Sequence, residues 1–96
     1  MADFKEVFEK IKDSGFAFSI VASGKRKGAL SVMVGSTPIK EAEYADRLFP
    51  VLKLAGWEPQ TPDDPELVAD TTKLKLWYVR VFLGAVMNAI MQPEVN

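Results

Sequence analysis

A long apolar stretch, Thr71 to Gln92, constrains the fold of this 96-residue chain more than any other feature. It contains no proline, and its apolar side chains form two rows at the period of an α-helix. One row is Leu74, Tyr78, Val81, Phe82, Ala85 and Ala89, and the other is Leu76, Val79, Leu83, Val86 and Ile90. A surface helix ordinarily has one apolar stripe about 100° wide. A helix with two rows is therefore expected to be covered on two sides.

A β-strand is the alternative structure for the first half of this stretch. Residues 76–82 are rich in β-branched and aromatic side chains, and the pattern of apolar residues here also fits a period of two. The length of the stretch favours the helix, because strands typically run for about 5–6 residues. We therefore predict one long helix packed on a sheet, with a strand over 72–82 followed by a short helix as the alternative.

The N-terminal segment predicts a helix over residues 3–14. Its apolar side chains have the i, i+3, i+4, i+7 spacing of one helical face: Phe4, Val7, Phe8 and Ile11. Asp3 is suited to the N-cap, and Gly15 is suited to the left-handed position that follows the last turn.

Two alternating segments, 16–22 and 29–34, flank the polar loop 23–28 and predict an antiparallel β-hairpin. The apolar residues on one side of the two strands are Phe16, Phe18 and Ile20, then Leu30, Val32 and Val34. The first helix is expected to cover this face.

The residues after the hairpin predict a short helix over 38–49. Thr37 is suited to its N-cap and Pro38 to its first position. Its inward row would be thin: Ile39, Ala42, Ala45 or Asp46, and Phe49.

Pro50 makes the next segment ambiguous. A proline disfavours helical backbone at the preceding residue, here Phe49. We therefore predict a third strand over Val51–Ala55, ended by Gly56. One helix that continues through Pro50 to Gly56 with a kink is the alternative.

Three prolines within residues 57–65 predict a rigid loop. Four carboxylates follow in and after this loop: Asp63, Asp64, Glu66 and Asp70. They lack the spacing of a calcium-binding loop, and helix capping explains carboxylates at the start of a helix. Asp64 and Pro65 suit the N-cap and first position of a helix that continues into, or pauses before, the Thr71 stretch.

The composition excludes several kinds of function. The chain has no cysteine and no histidine, so disulfides, thiolate nucleophiles, imidazole catalysis and Cys/His metal sites are excluded. No catalytic serine motif occurs, and we predict no enzymatic activity, cofactor or metal site. The N-terminus lacks the apolar core of a signal peptide, and Arg80 and Asn88 interrupt the C-terminal apolar stretch. The predicted location is the cytoplasm, without a membrane.

The loop 23–28 carries the densest positive charge, from Lys25, Arg26 and Lys27. Three adjacent cations could contact phosphates, which predicts, as an alternative function, a nucleic-acid-associated accessory protein. The loop does not match a phosphate-binding motif and has no aromatic residues for base stacking, which favours an ordinary solvated hairpin tip.

The order of elements resembles protein E of the plasmid-borne PRTRC cassettes. The residues that carry the resemblance are Phe4 and Phe8, Leu30, Val32 and Val34, then Pro50, Leu52, Leu54 and Gly56, and finally Glu66 and Leu67. Trp57 stands where that family has threonine, and Thr71–Gln92 has no counterpart there. The resemblance implies a mobile-element origin and no particular activity; an inhibitor or adaptor role would fit it.

We therefore predict a single α+β domain that acts as a non-enzymatic protein-interaction module. The long helix has more apolar surface than the rest of a small domain can enclose, and this favours a homodimer. The residues expected at the interface are Trp77, Arg80, Leu83, Met87 and Met91. Aromatic, methionine and arginine side chains are enriched in such surfaces.

Overall fold

The computed structural model describes residues 3–92, which form an α+β fold of helices and a three-stranded antiparallel sheet. The helices are α1 (Phe4–Asp13), α2 (Tyr44–Ala55), α3 (Pro65–Ala69) and α4 (Thr71–Met91). The strands are β1 (Phe16–Ile20), β2 (Leu30–Val34) and β3 (Thr37–Pro38), in that order across the sheet. The predicted fold class is confirmed.

α1 begins and ends at the residues that its sequence indicates. Asp3 Oδ1 accepts a hydrogen bond from the backbone N–H of Glu6 at 2.9 Å, which satisfies a donor that the first helical turn leaves free. Gly15, just after the helix, has a φ of 98°, a left-handed conformation that is strained for other residues. Val7 and Ile11 are fully buried and join α1 to the core.

The predicted hairpin is confirmed, with strands that are slightly shorter than the predicted segments. Phe16 pairs with Val34, Phe18 with Val32, and Ile20 with Leu30, so the apolar residues of both strands lie on the same face. This face carries the buried Phe16 and Val32. The tilted rings of Phe8 and Phe18, 5.6 Å apart, show that α1 covers it as expected.

The short helix predicted from Pro38 is wrong in its start. Its inward row is right in part, because Ile39, Ala45 and Phe49 pack against the core, but the most deeply buried residues are Tyr44 and Leu48. Thr37 and Pro38 form β3, which pairs with Val34 and Met33 of β2, and α2 begins only at Tyr44 after a 3₁₀ turn over Glu41–Glu43. The turn between the strands places Gly35 at a φ of 62°. The tight turn and the sheet pairing therefore replaced the N-cap that Thr37 was expected to supply.

The third strand predicted over Val51–Ala55 is also wrong, because α2 continues through Pro50 to Ala55. The buried side chains of α2 are spaced by four, four and three residues: Tyr44, Leu48, Leu52 and Ala55. A strand would place Leu52 and Leu54 on one face, whereas Leu52 is buried and Leu54 is 90% exposed. Proline inside a helix costs about 3 kcal/mol. Burying leucine side chains such as Leu48 and Leu52 stabilises by about 1.5–3 kcal/mol each, which offsets that cost.

α3 and α4 are two helices that meet at Asp70. Asp64 Oδ1 accepts from the backbone N–H of Glu66 at 3.0 Å and so caps α3. Asp70 Oδ1 accepts from the N–H of Thr72 at 3.0 Å and of Lys73 at 3.1 Å, and so caps α4. The predicted N-cap at Asp64 is confirmed. The sequence left open whether this helix continues past Asp70; it ends there, and Asp70 caps a new helix.

α4 is one helix throughout, so the strand alternative over 72–82 is wrong. Its fully or nearly fully buried residues form what we call the inner stripe: Tyr78, Val79, Phe82 and Val86. Each predicted row contributes two of them, so the core covers one broad stripe between the rows rather than two separate sides. The Phe82 ring lies 5.7 Å from Phe4 of α1, 6.1 Å from Phe18 of β1 and 5.5 Å from Trp57. α4 is therefore packed on both α1 and the sheet.

Candidate interaction surface on the C-terminal helix

Beside the inner stripe, α4 carries a second row of side chains, which we call the outer face. It consists of the apolar residues Leu76, Leu83, Met87, Ile90 and Met91, together with Arg80. Leu76 is 37% exposed, Ile90 is 38% exposed and Met91 is 65% exposed. The spacing of these residues follows the helical period over four turns. An apolar stripe thus runs along the accessible side of α4.

A groove of about 280 Å³ lies between the outer face, the hairpin loop and the 3₁₀ turn, and we call it the outer groove. Its apolar lining comes from three elements and includes Leu30, Tyr44, Val79, Leu83 and Met87. Arg26, Glu41 and Arg80 add charged groups of both signs to its lining. The outer groove therefore combines an apolar floor with polar groups, the composition of a protein-binding surface.

The structure brings three of the five predicted interface residues together. Arg80, Leu83 and Met87 all line the outer groove. Met91 lies one turn further along α4 and is largely exposed. Trp77 is half-buried and packs against the core, although it shares a shallow depression with Leu76 and Arg80.

The basic loop approaches the same groove. Arg26 Nη2 lies 3.0 Å from Glu41 Oε2, in an ion pair whose side chains are 55% and 72% exposed. An exposed pair of this kind contributes little to stability. It does place a carboxylate against the central cation of the loop, while Lys25 and Lys27 are exposed beside it. The loop therefore presents less positive charge to phosphates than its sequence indicates.

Two of the four carboxylates in and after the proline-rich loop have structural roles. Asp64 and Asp70 accept the N-cap hydrogen bonds of α3 and α4, which confirms the capping interpretation for these two. Within residues 3–92, no group of three or more carboxylates is arranged so that it could hold a metal ion.

Trp57 and Tyr78 form a reciprocal pair of hydrogen bonds that fixes the proline-rich loop to α4. The indole Nε1–H of Trp57 donates to the backbone carbonyl of Tyr78 at 3.3 Å, and the Tyr78 hydroxyl donates to the backbone carbonyl of Trp57. Burial, and secondarily the nearby charge of Glu58, raises the pKa of Tyr78 to about 12. The phenol is therefore held in its neutral, donating form.

The sequence did not predict the residues outside α4 that line the outer groove. The sequence pattern places Leu30 on the apolar face of the hairpin, and it gives no signal that Tyr44 or Glu41 would line a groove. Their convergence depends on the path of the chain from β3 into α2, which the sequence patterns did not predict. Leu76 and Ile90 were recognised in an apolar row, but nothing local indicated that the ends of this row would be left exposed.

α4 also has a length and hydropathy that a membrane-spanning helix would require. Its most apolar window has a mean hydropathy of 1.3, and 22% of that window is buried in the fold. Length and composition alone are weak evidence of spanning, because the core helix of a soluble protein meets the same criteria. In this structure the inner stripe of the same helix packs in the core.

No protein family, curated protein or solved structure with which the chain was compared matches it. The resemblance to the PRTRC protein E family therefore remains a prediction from the residues that carry it.

Proposed function

We propose that this protein is a non-enzymatic interaction module of the cytoplasm, and that it forms a symmetric dimer through the outer face of α4. The observation that carries the proposal is the row of exposed apolar side chains Leu76, Ile90 and Met91 beside the outer groove. Large apolar surfaces that a small domain leaves uncovered typically mark interaction sites. The resemblance to the PRTRC protein E family supports a mobile-element origin for such a module.

A second copy of the chain is the occupant that the charges favour. A two-fold interface is self-complementary, so a surface with charges of both signs can pair with itself. Arg80 and Glu41 line the same groove and supply both signs. The net charge of the chain is −1, so two copies repel each other only weakly.

Gly84 gives a second helix close access to the backbone of α4. It is exposed in the lining of the outer groove, and a Cβ added there would meet nothing within 4 Å. Two copies of α4 could therefore cross near Gly84, with Leu83 and Met87 of each helix packed against the other. Arg80 would lie at the rim, where its guanidinium keeps contact with water.

Light scattering coupled to size-exclusion chromatography tests this proposal at low micromolar concentration. The wild-type chain should have the mass of a dimer, and Leu76→Glu or Met91→Glu should have the mass of a monomer. Both positions are partly exposed, so we expect the variants to keep the helical circular dichroism of the wild type. Burying an unpaired carboxylate in the interface explains the dissociation.

Leu54→Glu is the matched control, because it makes the same change on α2 at a residue that is 90% exposed. Leu54 lies beside Lys10 and Asp13 of α1, in a different depression from the outer groove. This variant should remain a dimer. A monomeric wild type, or a dimer that survives both outer-face substitutions, would overturn the proposal. A monomer that floats with lipid vesicles would assign the outer face to a membrane surface instead.

A further inference from the structure

A second cavity, of about 440 Å³, lies on the other side of α4 between α2 and the proline-rich loop, and we call it the aromatic pocket. Four aromatic side chains line it: Phe49, Trp57, Trp77 and Tyr78. Its volume lies in the range of about 300–1,000 Å³ that is typical of small-molecule sites. Phe49 and Tyr78 pack edge to face with their centroids 5.2 Å apart, and the hydrogen bonds between Trp57 and Tyr78 hold the loop side of the pocket. The walls are thus built before any ligand arrives.

Two lysines bring positive charge to this pocket. Lys75 Nζ is neutralised by Asp46 Oδ1 at 2.8 Å. Lys53 Nζ lies 5.1 Å from the Tyr78 ring centroid and 5.8 Å from the Phe49 centroid. Lys53 takes part in neither of the two ion pairs that residues 3–92 contain.

The position of Lys53 favours an anionic group on the ligand. Because Lys75 is paired with Asp46, the charged side chains that remain in the lining are Lys53 and Glu58, and Lys53 is the one whose charged group lies over the rings of Phe49 and Tyr78. The hydroxyl of Tyr78 and the indole N–H of Trp57 already donate to each other's backbone carbonyls, so the ammonium of Lys53 is the strongest donor left for a ligand. Aromatic rings with an ammonium group beside them suit a ligand that has a flat ring and a carboxylate.

We propose that the aromatic pocket binds a small planar aromatic carboxylate, whose ring lies among Phe49, Trp57 and Trp77 and whose carboxylate pairs with Lys53. On binding, the Lys53 ammonium exchanges its contact with the Tyr78 ring for a charge-assisted hydrogen bond to the ligand. The site is separate from the outer groove, so ligand binding does not require dimerisation.

The two tryptophans of the chain make the site directly observable, because both line this pocket. Their two indole N–H resonances can be followed in ¹H–¹⁵N correlation spectra during titration with 2-naphthoate. The matched probes are 2-naphthylmethanol, which lacks the charge, and 2-naphthylmethylammonium, which reverses it. The carboxylate should shift both indole resonances with saturation, and the other two probes should bind at least about tenfold more weakly.

Lys53→Met should weaken naphthoate binding by about tenfold, because it removes the ammonium and keeps the apolar stem. Lys40→Met, an exposed lysine outside the pocket, should leave binding unchanged. Unchanged dispersion of the spectra would show that both variants are folded. Indole resonances that do not move at millimolar naphthoate, equal or tighter binding of the alcohol or the ammonium, or an affinity unaffected by Lys53→Met would each overturn the proposal.

Discussion

The inner stripe and the outer face of α4 carry apolar side chains of similar size, but the rest of the chain encloses only the inner stripe. Phe82 is fully buried among rings from α1, β1 and the proline-rich loop, whereas Met91 is 65% exposed. The difference arises because α1, the sheet and the proline-rich loop meet at Phe82, in the middle of the inner stripe. Stability should therefore depend on the inner stripe, and association on the outer face.

The largest expected effect is that of removing the central ring of the inner stripe. Phe82→Ala should lower the free energy of unfolding by about 3–5 kcal/mol, through lost burial and the cavity left behind. Met91→Ala should change it by no more than about 0.5 kcal/mol in the monomer. Urea denaturation followed by circular dichroism measures both values, at a protein concentration below the dissociation constant of the dimer. Similar losses in the two variants would mean that the two faces are equally enclosed.

A smaller effect is expected where the inner stripe meets the proline-rich loop. Tyr78→Phe removes the hydrogen bond to the Trp57 carbonyl and should lower the free energy of unfolding by about 1 kcal/mol at neutral pH. The pKa of Tyr78 is raised to about 12 in the folded protein, from an ordinary value of 10.0. The folded state thus favours the protonated phenol, and its stabilising contribution is complete below pH 10.

The pH dependence gives this prediction a distinct signature. As the pH rises from 10 towards 12, the unfolded phenol ionises first, and the contribution of Tyr78 to stability is progressively lost. The difference in unfolding free energy between wild type and Tyr78→Phe should therefore shrink over this range. Lysine titration affects both proteins alike and cancels in the difference. A constant difference from pH 8 to pH 12 would contradict the raised pKa.

The smallest expected effect, and one of opposite sign, concerns the outer face. Gly84→Ala should raise the unfolding free energy of the monomer by about 0.5–1 kcal/mol, because alanine is the better helix former and the added Cβ meets open space. Ala89→Gly, at another exposed position of α4, should lower it by a similar amount. A loss of stability in Gly84→Ala would show that something packs against this part of the outer face.

Local sequence patterns correctly predicted the elements for which the capping residues and the spacing of apolar residues indicate the same structure. Asp3 and Gly15 bound α1, the alternating residues of 16–20 and 30–34 pair as a hairpin, and Asp64 begins α3. Each of these signals involves neighbours within a few residues, and the tertiary fold leaves them in place.

The errors lie between Thr37 and Gly56, where two local signals compete with distant contacts. Pro38 and Pro50 indicate breaks or starts of helices. The predicted inward row of the short helix included the exposed Ala42, and it left out Tyr44 and Leu48, which are buried. The row that is buried, with Leu48 and Leu52 at its centre, was visible as a spacing of four. It prevails because burial against α1 and α4 stabilises the helix by more than Pro50 destabilises it.

The sequence by itself determined that Thr71–Gln92 has more apolar side chains than one stripe needs, and it favoured a long helix over a strand there, because length and spacing are local properties. Only the tertiary structure decided which part of that surface is covered. The inner stripe lies between the two sequence rows, because α1, α2 and the sheet meet at Phe82. The outer groove and the aromatic pocket exist for the same reason: each is bounded by α4 and by an element far from it in the chain.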